Sequence, residues 1–310
     1  MKKKIVIAVD GSIHGVHAMR YTATIAPTLP DLNYVLLNIQ PAVSQYLSQE
    51  ASSKPRTRKA LEKLMAANEQ NSRRILEKAH HQLLQFGISP ECIEVRTCAR
   101  VNGAAQDILD VCQVSQYDAV VIGRRGLSRM QELFTGSVTA NLLTHSQWTP
   151  VWMVDGEVSS PKILLASDGS PNALRAMDHL AFMLHGNLQA ELHVVHVKPS
   201  VQDLLTLDLD KDTIAATEEA LGSSTQQRID LFRGRTEEIM LKNGLKTEQL
   251  HVQTIESRFA IAGSIMDAAR EGGFGTIVLG RSSAPRSLFV GSVARRIVQK
   301  ITDMAVWWIP

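Results

Sequence analysis

The sequence has little cysteine. Cys92, Cys98 and Cys112 are the only three, and all lie in the first half. The number is odd and no zinc-type spacing is present, so a reducing, cytoplasmic compartment is expected. Long apolar runs are also missing. Nothing approaches the 18 or more residues of a membrane helix, so no membrane span is expected. The N-terminus, MKKKIVIAVDGS, opens like a secretory signal, but its apolar run is five residues long and stops at Asp10. No strong excess of one charge is present either. Net charge is +2 with a pI near 8.4, too mild for the concentrated basic face of a nucleic-acid binder. Residues 1–160 carry 17 Lys+Arg against 14 Asp+Glu, and residues 161–310 carry 16 against 17. That difference assigns no partner.

What the chain does contain is a duplication. IVIAVDGS (Ile5 to Ser12) returns as ILLASDGS (Ile163 to Ser170), 158 positions later. LLNIQP (Leu36 to Pro41) returns as VVHVKP, and YDAVVIGRRG (Tyr117 to Gly126) as FGTIVLGRSS. LFTGSV (Leu133 to Val138) returns as LFVGSV, and PVWMV (Pro150 to Val154) as AVWWI. The order is kept and the offset drifts only from 158 to 155. A chain of 310 residues holds about two domains on length alone. The repeat places them at residues 1–156 and 161–310, joined by the polar stretch DGEVSSPK.

Each copy alternates two patterns. IVIAV, YVLLNI, AVVIG and VWMV are short, continuous and rich in Val and Ile, the pattern of strands covered on both faces. Between them the sequence predicts helices over 14–26, 57–86 and 104–114, with another after Gly136. Ser12 is an N-cap for the first. The second copy predicts helices over 172–184, 213–242 and 261–270. Such alternation argues two α/β domains, each an open parallel sheet of about five strands with helices on both faces. In sheets of this kind ligands sit beyond the carboxyl ends of the strands. Asp10-Gly11-Ser12, Ile39-Gln40-Pro41 and the residues from Ile122 and Gly123 onward all fall there.

The stretch VIGRRGLSRMQELFTGSV (Val121 to Val138) ends a strand and reaches Gly136-Ser137 just before a helix. Glycines permit close approach of backbone to a ligand. A Gly-Ser pair at a helix start offers free N–H groups and the positive end of the helix dipole, which suit phosphate. Arg124, Arg125 and Arg129 add positive charge. It is neither a Walker A loop nor a GxGxxG turn. Glycine and serine that merely punctuate a strand–helix turn give the same pattern, and both readings stand at this point.

Gly123-x2-Gly126-x9-Gly136-Ser137, in a domain that starts with VDGS and ends with PVWMV, resembles the nucleotide-binding signature of the universal stress protein family. The resemblance covers both halves. It implies two tandem doubly wound domains, Rossmann-like and of the adenine nucleotide alpha hydrolase-like kind. It further implies an adenine nucleotide (ATP, or AMP or ADP) with Mg²⁺ arriving on the nucleotide, and a role in stress response or signalling. Asp10 would then contact the nucleoside and Ile39 the adenine. Ile122, Gly123 and Gly126 would line the site, with Gly136, Ser137 and Val138 on the phosphate side. The matching set in the second copy is Asp168, Val197, Gly280, Ser283, Gly291 and Ser292. That copy departs from the pattern: Ser283 replaces the second glycine, and ten residues rather than twelve carry Gly280 to Gly291. An altered site is expected there. The resemblance also implies that the last strands, Val151 to Val154 and Val306 to Ile309, pair the two copies or build a homodimer.

Two other classes compete. One is an interaction scaffold without nucleotide, in which the glycines are structural. The other is an adenylyl-transferring enzyme, because His14-Gly15-Val16-His17 resembles a HIGH-type motif. The second copy carries Asn172 and Arg175 at those positions. No catalytic residue and no protein-held metal is assigned; slow hydrolysis or self-phosphorylation is the most that is expected. His193 and His196, three apart in a strand, point to opposite faces and do not share a metal easily. His80-His81 are expected to meet the carbonyls at a helix end. Trp148, Trp152, Trp307 and Trp308 are expected to pack in a core or interface. The basic segment 44–59 and the acidic segment 200–211 are where the copies differ most.

Overall fold

A computed structural model of the chain describes residues 2–124, 137–198, 211–257, 260–281 and 291–310, with backbone alone at 137 and 211–225. It divides into two compact units, one of residues Lys2–Ala23 and Asp31–Glu157, the other of Val158–Pro310 together with Thr24–Pro30.

The first runs β1 (Lys3–Ala8), α1 (Ile13–Ile25), β2 (Leu32–Ile39), α2 (Gln45–Ser53), α3 (Pro55–Gln85), β3 (Ile93–Cys98), α4 (Ala104–Ser115), β4 (Ala119–Gly123), α5 (Ser137–His145) and β5 (Val151–Asp155). Its strands are parallel in the order β3-β2-β1-β4-β5. The second runs β6 (Ile163–Ser167), α6 (Pro171–Leu184), β7 (Leu192–Lys198), α7 (Lys211–Lys242), β8 (Leu250–Glu256), α8 (Ile261–Glu271), β9 (Thr276–Gly280), α9 (Ser292–Lys300) and β10 (Met304–Ile309). Its order, β8-β7-β6-β9-β10, is the same arrangement and is also parallel. Two doubly wound α/β domains with five strands each are thus present, as the repeat and the strand–helix alternation required.

The apolar runs are buried because helices cover the sheets. Ile5, Val6, Ile7, Val35 and Leu36 in the first unit, and Leu165, Ile277 and Val278 in the second, are at 0% exposure. A parallel strand with helices over both faces of its sheet has no solvent face, which is why these runs are continuous rather than alternating. In α3, Ser72, Leu76, Ala79 and Leu83 form one buried stripe at helical spacing, while the opposite side is charged.

The first turn of each domain is built alike. Gly11 (φ +81°) and Gly169 (φ +72°) turn the chain after β1 and β6, a backbone state that side chains disfavour. Ser12 and Ser170 then cap the following helices, their Oγ atoms accepting from the N–H of Gly15 (3.3 Å) and Ala173 (3.2 Å).

Several local expectations change. The basic segment 44–59 is largely helical: α2 occupies 45–53, and α3 starts at Pro55 rather than Thr57. Proline suits that first helical position, where its missing N–H is not needed. Lys54 forms an ion pair with Glu50 (2.5 Å). The acidic segment lies mostly outside the described residues. Trp152, Trp307 and Trp308 are at 0% exposure, but Trp148 is 78% exposed, in the turn before β5. That bend lies outside the strand, so the ring is not carried into the sheet's covered faces. His81 meets the Gln85 side chain (3.2 Å) rather than a helix-end carbonyl. Cys92, Cys98 and Cys112 are all free thiols, and burial pushes the Cys112 thiol up to about 12. Among the described residues no helix is long and apolar enough to cross a membrane.

Candidate functional site

Strand register decides which predicted residues share an edge. Ala8 pairs with Leu37 and Ile7 with Val121. Two residues further on, Asp10 therefore stands level with Ile39, and Val9 with Gly123. Ile122 is buried in β4, and Ser137 and Val138 open α5. In the second copy Ser167 pairs with His196 and Ala166 with Leu279, which sets Asp168 level with Val197 and Ser167 with Gly280. Gly126, Gly136 and Ser283 lie outside the described residues, as do Arg125 and Arg129.

The second copy shows what this edge encloses. A cavity of about 240 Å³ opens at the ends of β6, β7 and β9. Asp168, Val197, Gly280, Gly291 and Ser292 all line it, five of the six residues predicted for that copy. Ile261, Ile265 and Leu279 supply an apolar wall, and Ser292 begins α9. One wall is thus apolar. The other offers a carboxylate, hydroxyls and the N-terminus of a helix. The size is just under the roughly 300–1,000 Å³ typical of small-molecule sites.

The carboxylates are held by their own turns. Asp10 Oδ1 accepts from the N–H of Ser12 and Asp168 Oδ1 from that of Ser170, each at 2.9 Å. One oxygen of each is thereby fixed in direction. The strand ends are tied by side chains of different type doing one job. Asn38 Nδ2 donates to the Val9 carbonyl (2.6 Å), and His196 Nδ1 donates to the Ser167 carbonyl (2.9 Å). Burial lowers the pKa of His196, against the pull of that hydrogen bond, so the ring is neutral at neutral pH.

The glycines ending β4 and β9 have a reason in packing. A Cβ on Gly123 would stand 2.5 Å from the carbonyl oxygen of His14, and one on Gly280 would meet the carbonyl of Asn172. Each lets the first turn of a helix press on the strand end. This accounts for Gly123 and Gly280 whether or not a ligand is bound. Arg124 also departs from expectation. Instead of charging the loop, it is 8% exposed and forms an ion pair with Asp155 (3.3 Å). Thr139 of α5 donates to the carbonyls of Gly123 and Arg124, both at 3.3 Å, closing the end of β4. In the second copy Asn172 donates to the Arg281 carbonyl and accepts from Arg175.

Sequence reasoning missed Arg228. From α7 its guanidinium donates to the Asp168 carbonyl (2.5 Å), and its side chain packs beside Gly169. The corresponding neighbour of Gly11 in the first copy is Ile75. No local signal marks Arg228, which lies 60 residues from its partner in a helix of many charges.

The family model of the universal stress protein family matches residues 1–155 and again 160–305. The chain belongs to this family. Among curated proteins none matches it. This tandem universal stress protein resembles, at 16% identity and a TM-score of 0.61, a universal stress protein from Archaeoglobus fulgidus, with 99% of this chain and 97% of that one covered. A functionally unknown protein from Pseudomonas aeruginosa is similar at 15% identity and a TM-score of 0.55, covering 99% and 92%. At such identities the likeness is one of fold. It extends over both domains of the stress protein, so the tandem arrangement is shared with these structures at full length.

Proposed function

We propose that this tandem universal stress protein binds an adenine nucleotide at the carboxyl edge of its sheets and acts in stress response or signalling. The domains in this reading are residues 1–156 and 161–310. The observation that carries it is the cavity in which Asp168, Val197, Gly280, Gly291 and Ser292 converge. The nucleoside lies against Val197, Ile261 and Ile265, with Asp168 accepting from the sugar hydroxyls. The phosphate lies toward Gly291, Ser292 and the N-terminus of α9.

The first domain carries the full Gly123-x2-Gly126-x9-Gly136-Ser137 signature and is the ATP site, with Asp10 and Ile39 in the roles of Asp168 and Val197. The second, with Ser283 and a span two residues shorter, is the altered site and holds the smaller ligand, AMP or ADP. Mg²⁺ comes with the nucleotide, as it does where phosphates supply most of its ligands. The role is binding in the cytoplasm rather than turnover.

Calorimetric titration of ATP, ADP and AMP into the full chain tests this. Asp10→Ala should remove the ATP heat and Asp168→Ala the AMP heat. Gly136→Val should abolish ATP binding while unfolding stays cooperative. No heat with any nucleotide up to about millimolar overturns the reading.

One observation favours a second reading, an interaction scaffold without nucleotide. Gly123 and Gly280 are explained by helix packing alone. That reading predicts no nucleotide heat and a conserved thermal midpoint with and without ATP.

A further inference from the structure

We propose that Glu191, His193 and His251 form a divalent transition-metal site of Zn²⁺ type at the amino ends of β7 and β8, the end of the sheet opposite the crevice. His193 and His251 are direct partners in the parallel register of these strands, so their side chains rise from the same face. Their rings stack at 4.9 Å between centroids and 20° between planes. Glu191, two residues before His193, shares that face. Its Oε2 is 3.1 Å from His193 Nε2. One ligand atom from each residue lies within 4.8 Å of the other two.

The donor set suits the ion. Two imidazoles and one carboxylate form the His₂Glu set that Zn²⁺ takes with a fourth, open position for water. With bonds of about 2.0–2.2 Å, ligand atoms around such an ion sit roughly 3.4 Å apart, so closing from 4.8 Å needs rotations of about an ångström. The geometry permits them. Glu191 precedes its strand and its side chain is 63% exposed, while His251 is exposed at the sheet edge. Phe274 meets the His193 ring edge-on at 4.9 Å and steadies it. His193, His251, Phe274 and Arg233 line a depression of about 350 Å³, which leaves room for the ion and its water. Arg233 is engaged by Glu237 (3.2 Å).

The first domain is an internal control. At the same point in its sheet Val35 pairs with Glu94, and Glu94 forms an ion pair with Lys4 (2.6 Å). The metal-ligating set belongs to the second domain alone among the described residues.

The experiment is titration of Zn²⁺, without nucleotide, into the chelator-treated full chain, followed by calorimetry, with Co²⁺ absorption reporting four-coordination. One ion per chain is expected. His251→Asn and His193→Gln should each weaken binding at least about 10-fold and remove the Co²⁺ bands, while His80→Asn leaves both intact. His251 is exposed, so His251→Asn should keep the wild-type circular dichroism and decides the matter even if His193→Gln folds poorly. Zn²⁺ affinity unchanged in His251→Asn, or no binding by the wild-type chain up to about millimolar, overturns the site and leaves a plain Glu–His ion pair beside stacked rings.

Discussion

The carbonyl oxygen of His14 lies 2.5 Å from the point that a Cβ on Gly123 would occupy. No side chain fits there unless the first turn of α1 moves off β4. Gly123→Ala should therefore destabilise the first domain by about 1–3 kcal/mol, the usual cost of overpacking. Gly280→Ala should act alike in the second domain. Denaturant unfolding of the full chain measures both. Unchanged midpoints would show that the contact is slack and would return these glycines to a role in ligand approach.

Arg124 and Asp155 close the ends of β4 and β5, with side chains only 9% and 16% exposed. Removing one partner of a buried pair strands the other charge and costs about 3–5 kcal/mol, whereas replacing both is far milder. Arg124→Leu should thus lower stability more than the Arg124→Leu/Asp155→Leu double variant. If the single and double variants unfold alike, the pair is solvated and its charge is available to the neighbouring loop.

His179 gives the stability a pH dependence. Its Nε2 is shut off from water, its ring meets Trp307 edge-on at 5.9 Å, and burial pushes its pKa down to about 3. The ordinary value is near 6.5. The folded chain therefore keeps this ring neutral, while the unfolded chain protonates it below pH 6.5. Stability is full above that value and falls as the pH drops toward 3, by up to about 1.4 kcal/mol per pH unit. Unfolding midpoints between pH 4 and 7 should show this slope in the wild type and a shallower one in His179→Leu. Equal slopes would mean the ring accepts a proton in the folded state.

The feature read most securely from the sequence was the doubling of one α/β domain. Continuous runs such as IVIAV and AVVIG mark two-sided strands, and Ser12 marks a helix start, because each depends on residues within one turn or one strand. Most of the lining of the second-copy cavity was legible for the same reason: Asp168, Val197, Gly280 and Ser292 sit at strand ends or a helix start. Arg228 and His251 were not legible. Each acts on a residue about 60 positions away, and nothing in its own neighbourhood sets it apart. Trp148 misled in the opposite way, since an aromatic residue near a buried strand looks like core until the turn that carries it is known.

The sequence by itself determined the two copies, their strand and helix alternation and the parallel sheets. These follow from local periodicity and from the short connections such patterns permit. Only the tertiary structure decided that Gly123 yields to His14, that Arg124 turns to Asp155, that Arg228 holds the Asp168 turn and that His193 faces His251. Those are matters of register between strands and of helix placement on a sheet, set by packing across the domain rather than by any stretch of chain.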